Sequence, residues 1–142
     1  MKQNIGIYIH IPFCKSKCYY CDFVSFANKE VYIEDYINSI IKEIKSIDLS
    51  KYSLKTIYIG GGTPSILESK YLGQVLNELK SYIDREAEIT IEVNPGTVNK
   101  EKLKAYKQIG INRLSIGLQS TENDLLKQIG RIHRFEDFLE TY

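Results

Sequence analysis

Aliphatic and polar residues alternate in four short stretches of this chain: IGIYIHI at 5–11, KTIYIGGG at 55–62, EITIEVN at 88–94 and NRLSIGLQ at 112–119. Alternation with period 2 predicts β-strands that are apolar on one face. One phase is aliphatic throughout: Ile5, Ile7, Ile9 and Ile11; Ile57 and Ile59; Ile89, Ile91 and Val93; Leu114, Ile116 and Leu118. The other phase carries Tyr8 and His10; Tyr58 and Gly60; Thr90, Glu92 and Asn94; Ser115, Gly117 and Gln119. Between these stretches the apolar period changes to that of a helix. Ile33, Ile37, Ile40, Ile41, Ile44 and Ile47 predict one helix, and Tyr71, Leu72, Val75, Leu76, Leu79 and Ile83 a second. Shorter helices are expected at 99–109, between an Asn99 N-cap and a Gly110 stop, and at 121–129, opened by a Thr121-x-x-Asp124 capping box. Phe135, Phe138, Leu139 and Tyr142 begin a last amphipathic helix.

Strands alternating with helices imply βαβ crossovers, hence an α/β fold with a parallel sheet whose helices pack on the aliphatic face. The polar phases of four strands then share one surface. That surface is either the lumen of a curved, barrel-like sheet or a sheet face open to water. Tyr8, Glu92 and Gln119 sit near the C-terminal ends of their strands, where parallel α/β folds bind ligands, which favours the lumen. Four βα units are about half of the roughly 250 residues of a closed eight-fold barrel. The chain therefore reads as a partial (β/α) barrel, the N-terminal part of a longer core domain.

Composition narrows the function. The 142 residues are 43% hydrophobic, and 19 Lys+Arg against 18 Asp+Glu leave a net charge of +1. Basic residues are interleaved with acidic ones, as in KEIKSIDLSK, so no basic face for nucleic acid is expected. No apolar run reaches the roughly 18 residues of a membrane span, and the N-terminal stretch lacks the long apolar region of an export signal. A cytoplasmic protein is expected.

All three cysteines, Cys14, Cys18 and Cys21, fall within IHIPFCKSKCYYCDF in the order Cys-x3-Cys-x2-Cys. An odd number this close together cannot form a closed disulfide framework. A metal site is the alternative, in one of two forms. A structural zinc ion wants four ligands and would have to recruit His10 or Asp22. A [4Fe–4S] cluster is held by thiolates at such local spacings, and three of them leave one iron open to bind something else.

The motif Cys14-x3-Cys18-x-Tyr20-Cys21 resembles that of the radical S-adenosylmethionine (radical SAM) superfamily, in which the open iron binds the methionine end of SAM and reduction of the cluster cleaves the sulfonium. With IYIGGGTPS, IEVNPG, RLSIGLQS and GRIH in the same order, the resemblance extends over positions 5–133 to the coproporphyrinogen III oxidase-like branch. It implies that Cys14, Cys18 and Cys21 hold the cluster. It also implies SAM contacts from Tyr8, Tyr20, Gly61, Gly62, Thr63, Glu92, Gln119 and Arg131, while His133 receives no role. In the oxidases proper a further cysteine follows two positions after the third; here that position is Phe23. This departure resembles the haem chaperones of the branch, which keep the cluster and SAM site and deliver haem to other proteins. The resemblance therefore implies SAM, haem or coproporphyrinogen III, an electron donor and a haem-accepting protein as partners. Three readings stay open: haem chaperone, SAM-dependent oxidative decarboxylase of coproporphyrinogen, and zinc-binding structural module.

Overall fold

The computed structural model describes residues 2–142. Its main sheet has four parallel strands, β1 (Gln3–Ile11), β4 (Tyr52–Gly61), β5 (Ile83–Val93) and β6 (Arg113–Ile116), in the order β1-β4-β5-β6. A second, two-stranded parallel ladder pairs β2 (Phe13–Cys14) with β3 (Phe26–Ala27). The helices are α1 (Ile33–Ser46), α2 (Ser69–Leu79), α3 (Lys100–Gln108), α4 (Asn123–Gln128) and α5 (Phe135–Thr141). Because the main strands follow one another in sequence order and crossovers are right-handed, successive helices fall on the same face of the sheet. There α1 packs on α2, and α2 on α3.

The aliphatic strand phase makes the core. Ile9, Ile11, Ile57, Ile59, Ile89, Ile91 and Val93 are buried and cluster with Ile37 of α1, with Leu72, Val75, Leu76 and Leu79 of α2, and with Tyr106 of α3. Leu114 is the exception: on the edge strand β6 it is 37% exposed, because no further strand or helix covers it among the described residues.

Helix ends follow local chemistry where the cap is real. The Asn99 side chain accepts the Lys102 N–H at 2.9 Å, and Gly110 closes α3 with φ of +102°. Asn99→Ala is expected to destabilise the fold by about 1 kcal/mol, read as a lower urea midpoint at unchanged slope. The Thr121-x-x-Asp124 box does not form. Glu122 occupies the N-cap of α4 without a side-chain bond, and its N–H is taken by the Ser120 hydroxyl at 3.0 Å, so the chain enters α4 from a turn.

Other expectations shift at element ends. Ile83 does not close the second helix: α2 stops at Leu79, and Ile83 opens β5 opposite Leu54. The helical period runs into a strand there because Tyr82 N–H turns back to the Leu79 carbonyl before the ladder begins. Ile47 lies just past α1 and is exposed, and on α5 Leu139 and Tyr142 face outward while Thr141 is buried. The strand expected over 112–119 ends at Ile116. Gly117 N–H bonds to the Val93 carbonyl; Leu118 and Ser120 N–H then bond locally to Ile116 and Leu118 carbonyls, and Gln119 takes φ of +70°. These tight turns carry the chain off the sheet.

Candidate cofactor site

The C-terminal ends of the main strands surround a cleft of about 220 Å³. Cys14, Cys18 and Cys21 all line it, with Tyr20 and Phe23 from the same loop. Opposite them stand Gly61, Gly62 and Thr63 after β4, Glu92 and Asn94 at the end of β5, Gln119 beyond β6, and Arg131 beyond α4. Of the residues expected to gather there, Tyr8 alone does not line the cleft. It shares the polar sheet face, but β1 is the edge strand and the Tyr58 ring, stacked on Tyr8 at 6.2 Å, stands between it and Glu92.

The cysteine loop is tied down at both ends. The β2–β3 ladder closes it, with Phe26 N–H on the Pro12 carbonyl at 2.7 Å. On its far side Tyr19 N–H reaches the Ile129 carbonyl at the end of α4. His10 adds a third tie, since its Nε2 donates to the Val24 carbonyl at 2.8 Å while Nδ1 accepts from the Tyr8 hydroxyl at 3.0 Å.

The glycine turn meets this loop at close range. Gly62 N–H bonds to the Ile11 carbonyl and Thr63 N–H to the Phe13 carbonyl, each at 2.8 Å. A Cβ on Gly62 would lie 2.7 Å from the Phe13 oxygen and 2.9 Å from Cys14 Sγ, so only glycine permits the approach. Gly61 N–H bonds to Glu92 Oε2 at 3.0 Å, and Tyr58 donates to Oε1 at 2.8 Å, fixing the Glu92 carboxylate at the mouth of the turn. With all three N–H groups of Gly61, Gly62 and Thr63 occupied, the turn is not an anion-binding nest.

Two donors point at sulfur. The Thr63 hydroxyl lies 3.6 Å from Cys14 Sγ, and Arg131 Nη1 lies 3.7 Å from Cys18 Sγ. Asn94 links them, donating to Thr63 Oγ1 and accepting from Arg131 Nη2, both at 3.0 Å. Burial raises the Tyr20 phenol above its ordinary pKa, so it enters the cleft neutral, as a hydrogen-bonding aromatic.

This donor set fits a cluster better than a single ion. Among the described residues no three His, Cys, Asp or Glu side chains are grouped to hold one metal ion. A cubane spreads its three thiolates over three different irons, so it needs sulfurs that share a cleft rather than converge on one point. The recruits a zinc ion would need are unsuited: both His10 nitrogens are hydrogen-bonded, and exposed Asp22 does not line the cleft.

Sequence reasoning leaves Asn94 and His133 without roles. Asn94 lies in the polar phase of β5, two positions beyond Glu92, and that phase is the signal that could have found it. His133 has none: it is buried at 5% exposure beyond α4 and bonds Arg131 and the Leu118 carbonyl. Burial, helped by the Arg131 charge, lowers its pKa, so it is neutral in the fold. A lowered basic pKa gives stability that is full above the unfolded value of about 6.5 and is lost as pH falls below it. Urea titrations at stepped pH are therefore expected to show wild-type stability declining below about pH 6.5 more steeply than that of His133→Gln.

Comparison with known proteins agrees with this geometry. The model of the radical SAM superfamily matches residues 8–142. The haem chaperone HemW of Lactococcus lactis is 44% identical over 135 residues, covering 94% of this chain and 35% of that protein. The oxygen-independent coproporphyrinogen-III oxidase-like protein HemZ of Bacillus subtilis is 36% identical, covering all of this chain and 30% of that protein. Among solved structures, coproporphyrinogen III oxidase HemN of Escherichia coli, a radical SAM enzyme, superposes with a TM-score of 0.86 at 25% identity, over 96% of this chain and 33% of that one. The chain thus spans about a third of the length of the relatives it matches. Its three thiols in one cleft, its parallel α/β sheet and its match over residues 8–142 establish that the chain belongs to the radical SAM superfamily, a membership that implies SAM and a [4Fe–4S] cluster.

Proposed function

We propose that Cys14, Cys18 and Cys21 hold a [4Fe–4S] cluster, that SAM occupies the remainder of the cleft, and that the whole protein is a haem chaperone. The observation that carries the cofactor reading is the shared cleft of three thiols and the glycine turn, 2.9 Å from Cys14 Sγ to the position of a Gly62 Cβ. When bound, the cofactor pair supplies one-electron reductive cleavage of the SAM sulfonium. The chain's own residues bind and orient. Because the N–H groups of the glycine turn are occupied, it meets a ligand through carbonyl oxygens, which suit the ammonium of the methionine moiety. Each Glu92 oxygen keeps acceptor capacity beyond its one bond, for ammonium or ribose hydroxyls. Arg131 supplies positive charge toward a carboxylate, Gln119 an amide that donates or accepts, and Tyr20 an aromatic surface. Tyr8, whose hydroxyl bonds His10, acts from the rim by holding His10 and the loop.

The chaperone reading rests on Phe23. This residue lines the cleft at the position where the oxidases of the branch carry a further cysteine, and its ring neither transfers a proton nor ligates metal. Full-length protein is expected to bind haem in a spectrophotometric titration and, given SAM and a competent reductant, to leave coproporphyrinogen III unconverted. SAM-dependent decarboxylation that is lost in Cys21→Ala would replace this reading with the oxidase.

A further inference from the structure

His133 has a geometry that defines its protonation and its partner. Its Nδ1 lies 3.2 Å from Arg131 Nε and its Nε2 lies 3.2 Å from the Leu118 carbonyl oxygen. A guanidinium Nε–H only donates and a carbonyl only accepts, so one tautomer satisfies both: neutral imidazole with its proton on Nε2. A charged ring would set Nδ1–H against the Arg131 Nε–H. With both nitrogens engaged and the side chain buried, His133 has no lone pair for a metal or an incoming ligand and no free base for proton transfer.

Arg131 in turn uses every edge of its guanidinium. Nη2 donates to the Gly117 carbonyl at 2.7 Å and to Asn94 Oδ1 at 3.0 Å, while Nη1 points at Cys18 Sγ at 3.7 Å. The guanidinium is a rigid plane, so its direction is set only when two separate edges are held. The strand ends hold the Nη2 edge, and His133 holds Nε. Without His133 the plane can pivot about its Nη2 bonds and Nη1 leaves the sulfur.

We propose that His133 is a positioning residue that keeps Arg131 Nη1–H on Cys18 Sγ and so raises the reduction potential of the group bound there. This rests on the proposed cluster at Cys14, Cys18 and Cys21. A cation and a hydrogen bond at a ligating sulfur stabilise the added electron, and hydrogen bonds to the sulfurs are among the protein's means of setting such potentials.

The test is an EPR-monitored redox titration of the cluster-loaded full-length protein. His133→Leu, which removes both hydrogen bonds, is expected to shift the potential to more negative values. His133→Gln, whose amide offers an acceptor and a donor at similar separation, is expected to recover most of the wild-type value. In an Arg131→Met background His133→Leu is expected to add no further shift, since the two residues act as one unit. An unchanged potential in loaded His133→Leu, or an equal shift in both backgrounds, overturns the role of His133 and leaves the cluster standing. Wild-type protein that takes up no cluster overturns the proposed function itself, and this inference with it. Should His133→Leu fail to fold, nitrogen-15 NMR of the wild-type ring decides: a proton on Nε2 alone supports the proposal, and a proton on Nδ1 at neutral pH defeats it.

Discussion

Cys14→Ala, Cys18→Ala and Cys21→Ala are each expected to abolish stable [4Fe–4S] incorporation into full-length protein reconstituted anaerobically with iron and sulfide. In the proposed site each thiolate is the protein ligand of one iron, and this stretch of chain holds no fourth cysteine to substitute. Neighbouring donors cannot take over either. The His10 nitrogens are bound to Tyr8 and Val24, both Glu92 oxygens already accept hydrogen bonds, and the polar groups that reach the sulfurs, Thr63 and Arg131, are donors to them rather than metal ligands. The three variants should differ in stability even though all lose the cluster. Cys14 is buried against the glycine turn, so truncating it leaves a gap beside Gly62, whereas Cys18 and Cys21 are half-buried on the loop and their loss is felt mainly by the cofactor. Iron and sulfide content per chain, with absorbance near the visible charge-transfer band, reads the outcome. A Cys18→Ala protein with wild-type iron content would remove the motif from the site.

How far the sequence reveals this arrangement depends on whether a residue's place is set locally. The cysteine spacing and the period-2 stretches are local, so the loop, the sheet and the helix-covered aliphatic face are all legible in the residue pattern itself. Glu92 and Asn94 reach the cleft by the same alternation, Asn94 continuing the phase of Glu92 just past the end of β5. Gln119 also lines the cleft, but by another route. The strand stops at Ile116, short of Gln119, and two local turns with a left-handed backbone at Gln119 deliver the side chain instead. Tyr8 takes the sheet face that its phase predicts but does not line the cleft, because three residues short of the end of an edge strand it stacks on Tyr58 instead. Nothing in the pattern of GRIH indicates that His133 turns inward to hold Arg131, because the groups that fix the pair in place, Asn94, Gly117 and Leu118, lie far away in sequence.

Gly62→Ala is expected to cost the protein its cluster while leaving the sheet folded, and the reason is steric rather than conformational. Gly62 does not occupy the left-handed region, so alanine can adopt its backbone angles, in contrast to Gly61 at φ of +114°. The obstacle is what the new methyl would meet: the Phe13 oxygen at 2.7 Å, Cys14 Sγ at 2.9 Å and the Ile11 oxygen at 3.0 Å. Two of the three are backbone atoms, already accepting the Gly62 and Thr63 N–H bonds, so neither can swing aside as a side-chain tip would. The methyl must pry the glycine turn away from the strand that carries Cys14, at a cost of about 1–3 kcal/mol typical of overpacking. A fold with a buried core spread over three helices and four strands withstands that, but a thiolate displaced from its two companions does not hold its corner of a cluster. Gly73→Ala is the matched control. It lies in the interior of α2, its methyl would meet only the Ile109 side chain, with Cγ2 at 3.3 Å, and the helix gains roughly 0.5–1 kcal/mol of propensity against that contact. Iron content together with thermal unfolding separates the cases: Gly62→Ala should be folded and iron-poor, Gly73→Ala folded and loaded. Equal loading of both would mean that the close approach of Gly62 to Cys14 is not what shapes the site.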